Sequence, residues 1–140
     1  MNVYEWLQRV KRLDAMIECK LAEKQQLMDL ATNITSSGDG MPHGKGMVPQ
    51  KIQDIAVKLA ELSKDIDKQV AEFVDTKNEI VAVLEQLPPN EYQVLHKHYI
   101  EYKTWEQVAD EMSYSIMHVW RIKQRALGNL RNILRNVIEC

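Results

Sequence analysis

The sequence predicts an all-α protein in which a long antiparallel helical hairpin is followed by a small, separate helical domain. Residues that favour helices, among them Glu, Lys, Gln, Leu, Ala and Met, dominate, whereas glycine and proline number only 5 and 4 among 140 residues. Two long segments carry apolar residues three or four positions apart, which is the period of an amphipathic helix. The glycine- and proline-rich stretch 33–49 lies between them and predicts a flexible loop in which the chain reverses direction.

Each helix of the predicted hairpin carries one apolar stripe. The first helix covers about residues 3–31, and its stripe consists of Trp6, Val10, Leu13, Ile17, Leu21, Leu27, Met28 and Ala31. The second covers about residues 50–87 and has a heptad-like stripe of Ile52, Ile55, Leu59, Leu62, Ile66, Val70, Phe73, Lys77, Ile80, Leu84 and Leu87. Such helices pack as an antiparallel pair, and the heptad spacing is also compatible with a coiled coil. Because two helices leave apolar surface uncovered, this arm, residues 1–87, is expected to pack on another copy (a homodimer or higher oligomer), on the following domain, or on a partner protein.

Pro88 and Pro89 mark the boundary between the arm and a second domain, residues 88–140. Proline cannot continue a helix, and the residue before a proline is pushed out of helical geometry, so the long helix should end near Leu87. Asn90 is the predicted N-cap of the short helix that follows. The chain beyond this point therefore looks like a compact unit of its own.

The second domain contains the pattern of a helix-turn-helix. Thr104 and Gln107 form a capping box, Thr-x-x-Gln, at the start of one helix. Ala109 is small where a second helix would cross closely, and Ser115 is the predicted cap of that second helix. Ser113 occupies the turn position at which glycine is usual, because that turn often needs a positive φ.

The charges of the two helices differ in sign, which indicates DNA binding. The acids Glu101, Glu106, Asp110 and Glu111 precede the turn with Lys103 alone against them, whereas residues 113–138 carry basic residues and no acid. The second helix of such a unit lies in the major groove of DNA. The candidate DNA-binding residues are Thr104, Ser115, Ile116, Met117, Trp120, Arg121, Lys123, Gln124, Arg125 and Arg131.

The candidate residues have different expected roles. Arg121 and Gln124 can read guanine and adenine edges by paired hydrogen bonds. The cations Lys123, Arg125 and Arg131, together with Thr104 at the start of the first helix, suit phosphates. Ile116 and Met117 would contact either thymine methyl groups or a partner protein. Trp120 would either stack at the DNA backbone or pack against the arm.

The stretch "LPPNEYQVLHKHYIEYKTWEQVADEMSYSIMHVWRIKQRALGNLRNIL" resembles region 4 of sigma-70-type factors. That resemblance implies binding to the promoter −35 element and to the β flap of RNA polymerase. The whole layout is similar to short phage and prophage proteins of Gram-positive bacteria, some of which regulate late-gene transcription. The resemblance thus implies double-stranded DNA and host RNA polymerase as partners. The arm shows no region 2, which argues against a self-sufficient sigma factor.

Two other functions stay open at this point. A small terminase subunit for DNA packaging also joins a helix-turn-helix to a helical oligomerisation region. An adaptor could instead bind polymerase through the C-terminal domain without binding DNA, and Ile116 and Met117 would then form a protein contact.

Other classes of function find no support in the sequence. No nucleophile, base and oxyanion donor can be grouped, so we expect no enzyme and no cofactor. His96 and His98 lack an accompanying Cys-x-x-Cys, so we expect no metal site and histidines that face solvent or phosphate. No apolar run reaches membrane-spanning length, and the first residues lack the apolar block of a signal peptide. We therefore expect a cytoplasmic protein with no membrane partner, and the resemblance implies that the cell is a bacterial host.

Overall fold

The computed structural model describes residues 2–37 and 47–139. The described secondary structure is helical throughout, which confirms the all-α prediction. In chain order the elements are α1 (Val3–Ser37), α2 (Met47–Leu84), α3 (Pro89–Leu95), a π-helical turn (His96–Ile100), α4 (Trp105–Met112) and α5 (Ile116–Glu139). None of the described helices combines the length and the apolar character that a bilayer crossing requires.

The two long helices reach further into the predicted loop 33–49 than expected. Residues 33–37 continue α1 and residues 47–49 begin α2, while the central part of the loop and its predicted mobility lie outside the described residues. The segment 33–37 contains neither glycine nor proline, so nothing in it ends a helix. Pro49 falls in the first turn of α2, where the missing N–H of proline costs no hydrogen bond.

The chain forms two compact units. The larger unit consists of Met1–Leu13 together with Phe73–Cys140, and the smaller unit consists of Asp14–Glu72. The larger unit therefore takes in the start of α1 and the end of α2 as well as everything after the two prolines. The predicted division into an arm, residues 1–87, and a second domain, residues 88–140, remains a prediction.

The larger unit is held together by a core to which both ends of the arm contribute. Its fully buried side chains include Leu7, Val10, Ile80, Leu84, Leu95, Ala126, Leu127 and Leu130. A second cluster beneath the turn between α4 and α5 consists of Val94, Val108, Ala109, Val119 and Ile122. The buried Glu91 accepts a hydrogen bond of 2.8 Å from the side chain of Asn129, which ties α3 to α5. These contacts fix α5, so its outer face has a defined position.

The start of α3 corrects one prediction. The N-cap is Pro88 and Pro89 occupies the first helical position, so the assignment of Asn90 as the cap was wrong. Proline suits the first helical position because its fixed φ matches the helix and its missing N–H has no intrahelical acceptor there. The Asn90 side chain instead accepts a hydrogen bond of 2.9 Å from the N–H of Glu91.

Within the smaller unit, α1 and α2 run antiparallel, as predicted. The ammonium group of Lys20 lies 3.8 Å from a carboxylate oxygen of Asp65. Leu27, further along α1, lines a shallow surface pocket with Leu62, which comes earlier in α2. The residue numbers therefore rise along one helix as they fall along the other.

The apolar stripes of the smaller unit are only partly buried. Ile17, Ile55 and Ile66 are buried, but Leu21 and Met28 of the predicted stripe are 47% and 45% exposed. The half-buried side chains of Lys20 and Lys24 lie on the inward side of this stretch instead. Lysine can cover apolar surface with its long aliphatic stem while its charge stays in water, which explains why the inward positions are not all apolar. On α2, Ile52 and Val70 are exposed as well, against the prediction.

Candidate nucleic-acid interface

The predicted capping box at the start of α4 is present. The hydroxyl of Thr104 accepts a hydrogen bond of 3.2 Å from the N–H of Gln107, and the side-chain oxygen of Gln107 accepts one of 2.9 Å from the N–H of Thr104. Each residue thus satisfies a backbone donor that the helix itself leaves without a partner. The cap fixes where α4 begins, and this start is the end of α4 that would approach a phosphate.

The turn between α4 and α5 depends on a left-handed residue. Ser113 has φ 58° and ψ 38°, which is the conformation that explains why glycine is usual at this position. The N–H groups of Ser113 and Tyr114 donate to the carbonyl oxygens of Asp110 and Ala109 at 3.2 and 2.9 Å. These hydrogen bonds end α4 and aim the chain into α5.

We expect Ser113→Gly to raise the free energy of unfolding by about 0.5–1 kcal/mol. Glycine removes the steric cost of the left-handed conformation, which is about 1–2 kcal/mol for other residues, but it also gives the unfolded chain more freedom. Urea titration followed by tryptophan fluorescence measures the difference, with Ser113→Ala as the control that keeps a Cβ. A midpoint for the glycine variant at or below that of the alanine variant would contradict this account.

The start of α5 is capped as predicted, because the hydroxyl of Ser115 accepts a hydrogen bond of 3.1 Å from the N–H of His118. One face of α5 is buried through Val119, Ile122, Ala126, Leu127 and Leu130. The opposite face is open within the larger unit. Ile116, Met117 and Trp120 are 45%, 61% and 55% exposed, although large apolar side chains favour burial.

Nine of the ten predicted DNA-binding residues are exposed. They are Thr104, Ser115, Ile116, Met117, Trp120, Arg121, Gln124, Arg125 and Arg131. Met117, Arg121 and Gln124 are spaced i, i+4 and i+7 along α5, so they share one side of the helix. Arg131 lies two turns further on the same side, seven residues after Gln124. The structure thus brings together the predicted base-reading residues and one predicted phosphate contact.

Lys123 differs from the other nine. It is half-buried, and its ammonium group lies 4.9 Å from the centre of the Trp105 ring and 6.0 Å from that of Tyr4. Both distances are within the range of a cation–π interaction. Lys123 therefore connects α5 to the start of α4 and to α1, and its proposed contact with a phosphate stays a prediction.

His98, which was expected to face solvent or phosphate, also packs on an aromatic ring. Its imidazole stacks on Trp105 with 3.7 Å between ring centres, and its Nδ1 lies 2.7 Å from the carbonyl oxygen of Lys103. Burial lowers the pKa of His98 most; the hydrogen bond to the carbonyl of Lys103 acts against this, and the charges of Lys123 and Lys11 lower it further. The second nitrogen, Nε2, has no hydrogen-bond partner among the described residues.

Two of the acidic residues before the turn belong to an ion-pair network. Lys103 lies 2.7 Å from a carboxylate oxygen of Glu111 and 2.9 Å from one of Glu101, and Lys97 lies 3.1 Å from Glu111. Hydrogen bonds from Lys103 and Lys97 hold the pKa of Glu111 below its usual range. The network joins the loop before α4 to the end of α4, so these acids neutralise neighbouring lysines.

Gly128 lies on the exposed side of α5, four residues after Gln124, and no neighbouring atom requires glycine at this position. A Cβ added there would meet no heavy atom within 4 Å. We expect Gly128→Ala to raise the free energy of unfolding by about 0.5–1 kcal/mol, because glycine inside a helix is less favourable than alanine by this amount. A urea midpoint equal to or below that of the parent would show that the position is more crowded than the geometry indicates.

Sequence reasoning missed the residues that α1 adds to this region. The Tyr4 ring lies 6.0 Å from the ammonium group of Lys123, and the charge of Lys11 contributes to lowering the pKa of His98. These partners lie 119 and 87 positions apart in the chain, so no local spacing could have paired them. Among the described residues, no three His, Cys, Asp or Glu side chains converge as metal ligands would.

Comparison with known proteins agrees with this geometry. Residues 83–132, from the end of α2 into α5, match the family model for sigma-70, region 4. No curated protein and no solved structure gives a significant match. The segment 83–132 is therefore a sigma-70 region 4-like helix-turn-helix of the DNA-binding kind.

Proposed function

We propose that this protein is a sequence-specific, DNA-binding transcription regulator of the phage or prophage type that acts with host RNA polymerase in the bacterial cytoplasm. The observation that carries the proposal is the open outer side of α5, where Arg121 and Gln124 stand exposed one turn apart within the segment that matches sigma-70, region 4. The proposed activity is binding and needs neither catalysis nor a cofactor.

The exposed side chains of α5 divide into two groups by chemistry. Arg121 suits the two acceptors of a guanine edge, and Gln124 suits the donor and acceptor of an adenine edge. Arg125 and Arg131 are exposed and supply charges for backbone phosphates, which position the helix without reading sequence. This arrangement supports readout of a short base sequence by the first three turns of α5.

Mapping of the bound DNA across the host genome tests the proposal. We expect a small set of sites that share a short sequence, and the purified protein should bind such a duplex at least about 1,000-fold more tightly than a scrambled duplex of the same composition. Both affinities must be measured at the same salt concentration. Equal binding to both duplexes, or no enriched site, would refute sequence-specific regulation.

One observation favours a second candidate, an adaptor that binds RNA polymerase without DNA. Ile116, Met117 and Trp120 are exposed apolar residues in the first turns of α5. In a DNA complex this part of the helix would face the bases, but in an adaptor it would form an apolar patch for a protein. Such patches often mark protein–protein contacts. Capture of purified host polymerase by this protein, together with no shift of any duplex, would favour the adaptor. Loss of capture in Met117→Lys would place the contact on this patch.

A further inference from the structure

A cavity of about 160 Å³ lies where the start of α1 meets the loop before α4. Gln8 and Lys11 of α1 line one side, and His98, Lys103 and Thr104 line the other. All of these residues belong to the larger unit. The cavity is large enough for several water molecules, each of which occupies ~30 Å³ in the liquid, so a group larger than one water can enter it.

The side chains that line the cavity carry positive charge and no carboxylate. Lys103 is already neutralised by Glu101 and Glu111 at 2.9 and 2.7 Å. Lys11 is exposed and makes no ion pair with any described residue, so its charge is uncompensated. An anion in the cavity would therefore pair with Lys11, which forms no other ion pair among the described residues.

His98 adds a nitrogen that is free to change its role. A carbonyl oxygen only accepts hydrogen bonds, so Nδ1 of His98 must carry the hydrogen that it donates to Lys103. In the neutral ring Nε2 is then an acceptor, and protonation turns it into a donor. An anion would therefore favour the protonated ring, whereas Lys11 and Lys123 disfavour it in the free protein.

Thr104 places the cavity at the N-terminus of α4. The N–H groups in the first turn of a helix and the positive end of its dipole attract anions. On the other side, Trp105 stacks on His98 and lies under the ammonium group of Lys123 in α5. The cavity is thus connected, through two side-chain contacts, to the helix proposed to enter the major groove.

We propose that this cavity holds a phosphodiester group of the DNA backbone, so that Lys11 makes the start of α1 part of the DNA-binding surface. The inference rests on the proposed function, since it names a further contact with the same ligand. It extends the surface beyond the matched segment 83–132, to a helix at the other end of the chain.

Lys11→Met tests the contact, with Arg12→Met as the matched control. Both variants remove one exposed cation from α1, but Arg12 does not line the cavity. One lost phosphate contact makes the slope of log K against log salt about 0.9 less steep, which corresponds to roughly 8-fold weaker binding at 0.1 M salt. We expect this change for Lys11→Met on specific and scrambled duplexes alike, and a smaller change for Arg12→Met. Equal slopes for the two variants would overturn the proposal.

The pH dependence of binding gives a second readout. Lys11 from α1, Lys123 from α5 and the carbonyl of Lys103 surround His98. A bound phosphate raises the pKa of His98, so binding takes up a proton and affinity rises as the pH falls, until the pH is below the lowered pKa of His98 in the free protein. His98→Gln should remove this part of the pH dependence, whereas His118→Gln should keep it. Identical profiles for the two variants would contradict a role for His98 beside the phosphate.

The source of the phosphate is tested by NMR of the His98 ring. We expect a duplex to shift the ring resonances in the full-length protein and not in Lys11→Met, while inorganic phosphate at 5 mM leaves them unchanged. A shift by inorganic phosphate but not by a duplex would mean a site for a free anion and would overturn the DNA contact. If the parent binds no duplex, the proposed function itself fails. If the parent binds specifically and Lys11→Met matches Arg12→Met, only this inference fails.

Discussion

Leu7→Ala is expected to lower the free energy of unfolding of the larger unit by about 2–5 kcal/mol, the range for leucines truncated in a close-packed core. Leu7 is fully buried in the cluster that also contains Leu95 and Leu127, so alanine would leave a cavity between α1, α3 and α5. Urea titration measures the change through tryptophan fluorescence. Trp6, Trp105 and Trp120 all lie in the larger unit, so the signal reports on that unit.

Leu21→Ala is the matched control, because it makes the same change in the same helix at a position that is 47% exposed. It should change the free energy of unfolding of the larger unit by no more than about 0.5 kcal/mol. If the two leucine variants shift the midpoint equally, the start of α1 does not belong to the core around the helix-turn-helix.

Arg121→Ala is expected to weaken specific DNA binding by about 1–3 kcal/mol, because a paired hydrogen bond to one base is lost. Binding to a scrambled duplex should change much less. The side chain is exposed and has no described ion pair, so the free energy of unfolding should stay within about 0.5 kcal/mol of that of the parent. Fluorescence anisotropy with a mapped site and a scrambled duplex, over a series of salt concentrations, measures both affinities.

Arg131→Ala provides the contrast to Arg121→Ala. It should weaken binding to every duplex and reduce the salt slope by about one, as expected for a phosphate contact. If both variants bind every duplex as well as the parent at low salt, the side of α5 assigned to DNA is wrong.

The elements that could be predicted from the sequence depend on contacts between near neighbours in the chain. The capping box at Thr104 spans three residues, and the left-handed turn at Ser113 depends on one residue and its adjacent hydrogen bonds. The face of α5 follows from helical period alone, which is why seven of the eight candidate residues on this helix were correctly expected at the surface. Local chemistry thus sufficed for the helix-turn-helix.

The errors concern residues whose environment depends on distant parts of the chain or on competing local chemistry. Leu21 and Met28 are apolar at helical spacing but exposed, whereas Lys20 and Lys24 of the same helix are half-buried. The stacking of His98 on Trp105 was not predicted either, because it depends on how the π-helical turn and α4 bring the two rings together. Asn90 is a good N-cap by type, but the prolines before it start the helix two residues earlier than predicted.

The larger unit is discontinuous in sequence, since Asp14–Glu72 separates its two parts. Leu7 and Leu84 cannot meet until that intervening stretch has been closed into a loop, which costs conformational entropy that grows with the logarithm of its length. Folding should consequently be slower than for a helical bundle built from neighbouring segments. Pairing of α1 with α2 inside the intervening stretch shortens the effective loop. Substitutions that loosen that pairing should therefore slow the refolding of the larger unit more than they change its rate of unfolding.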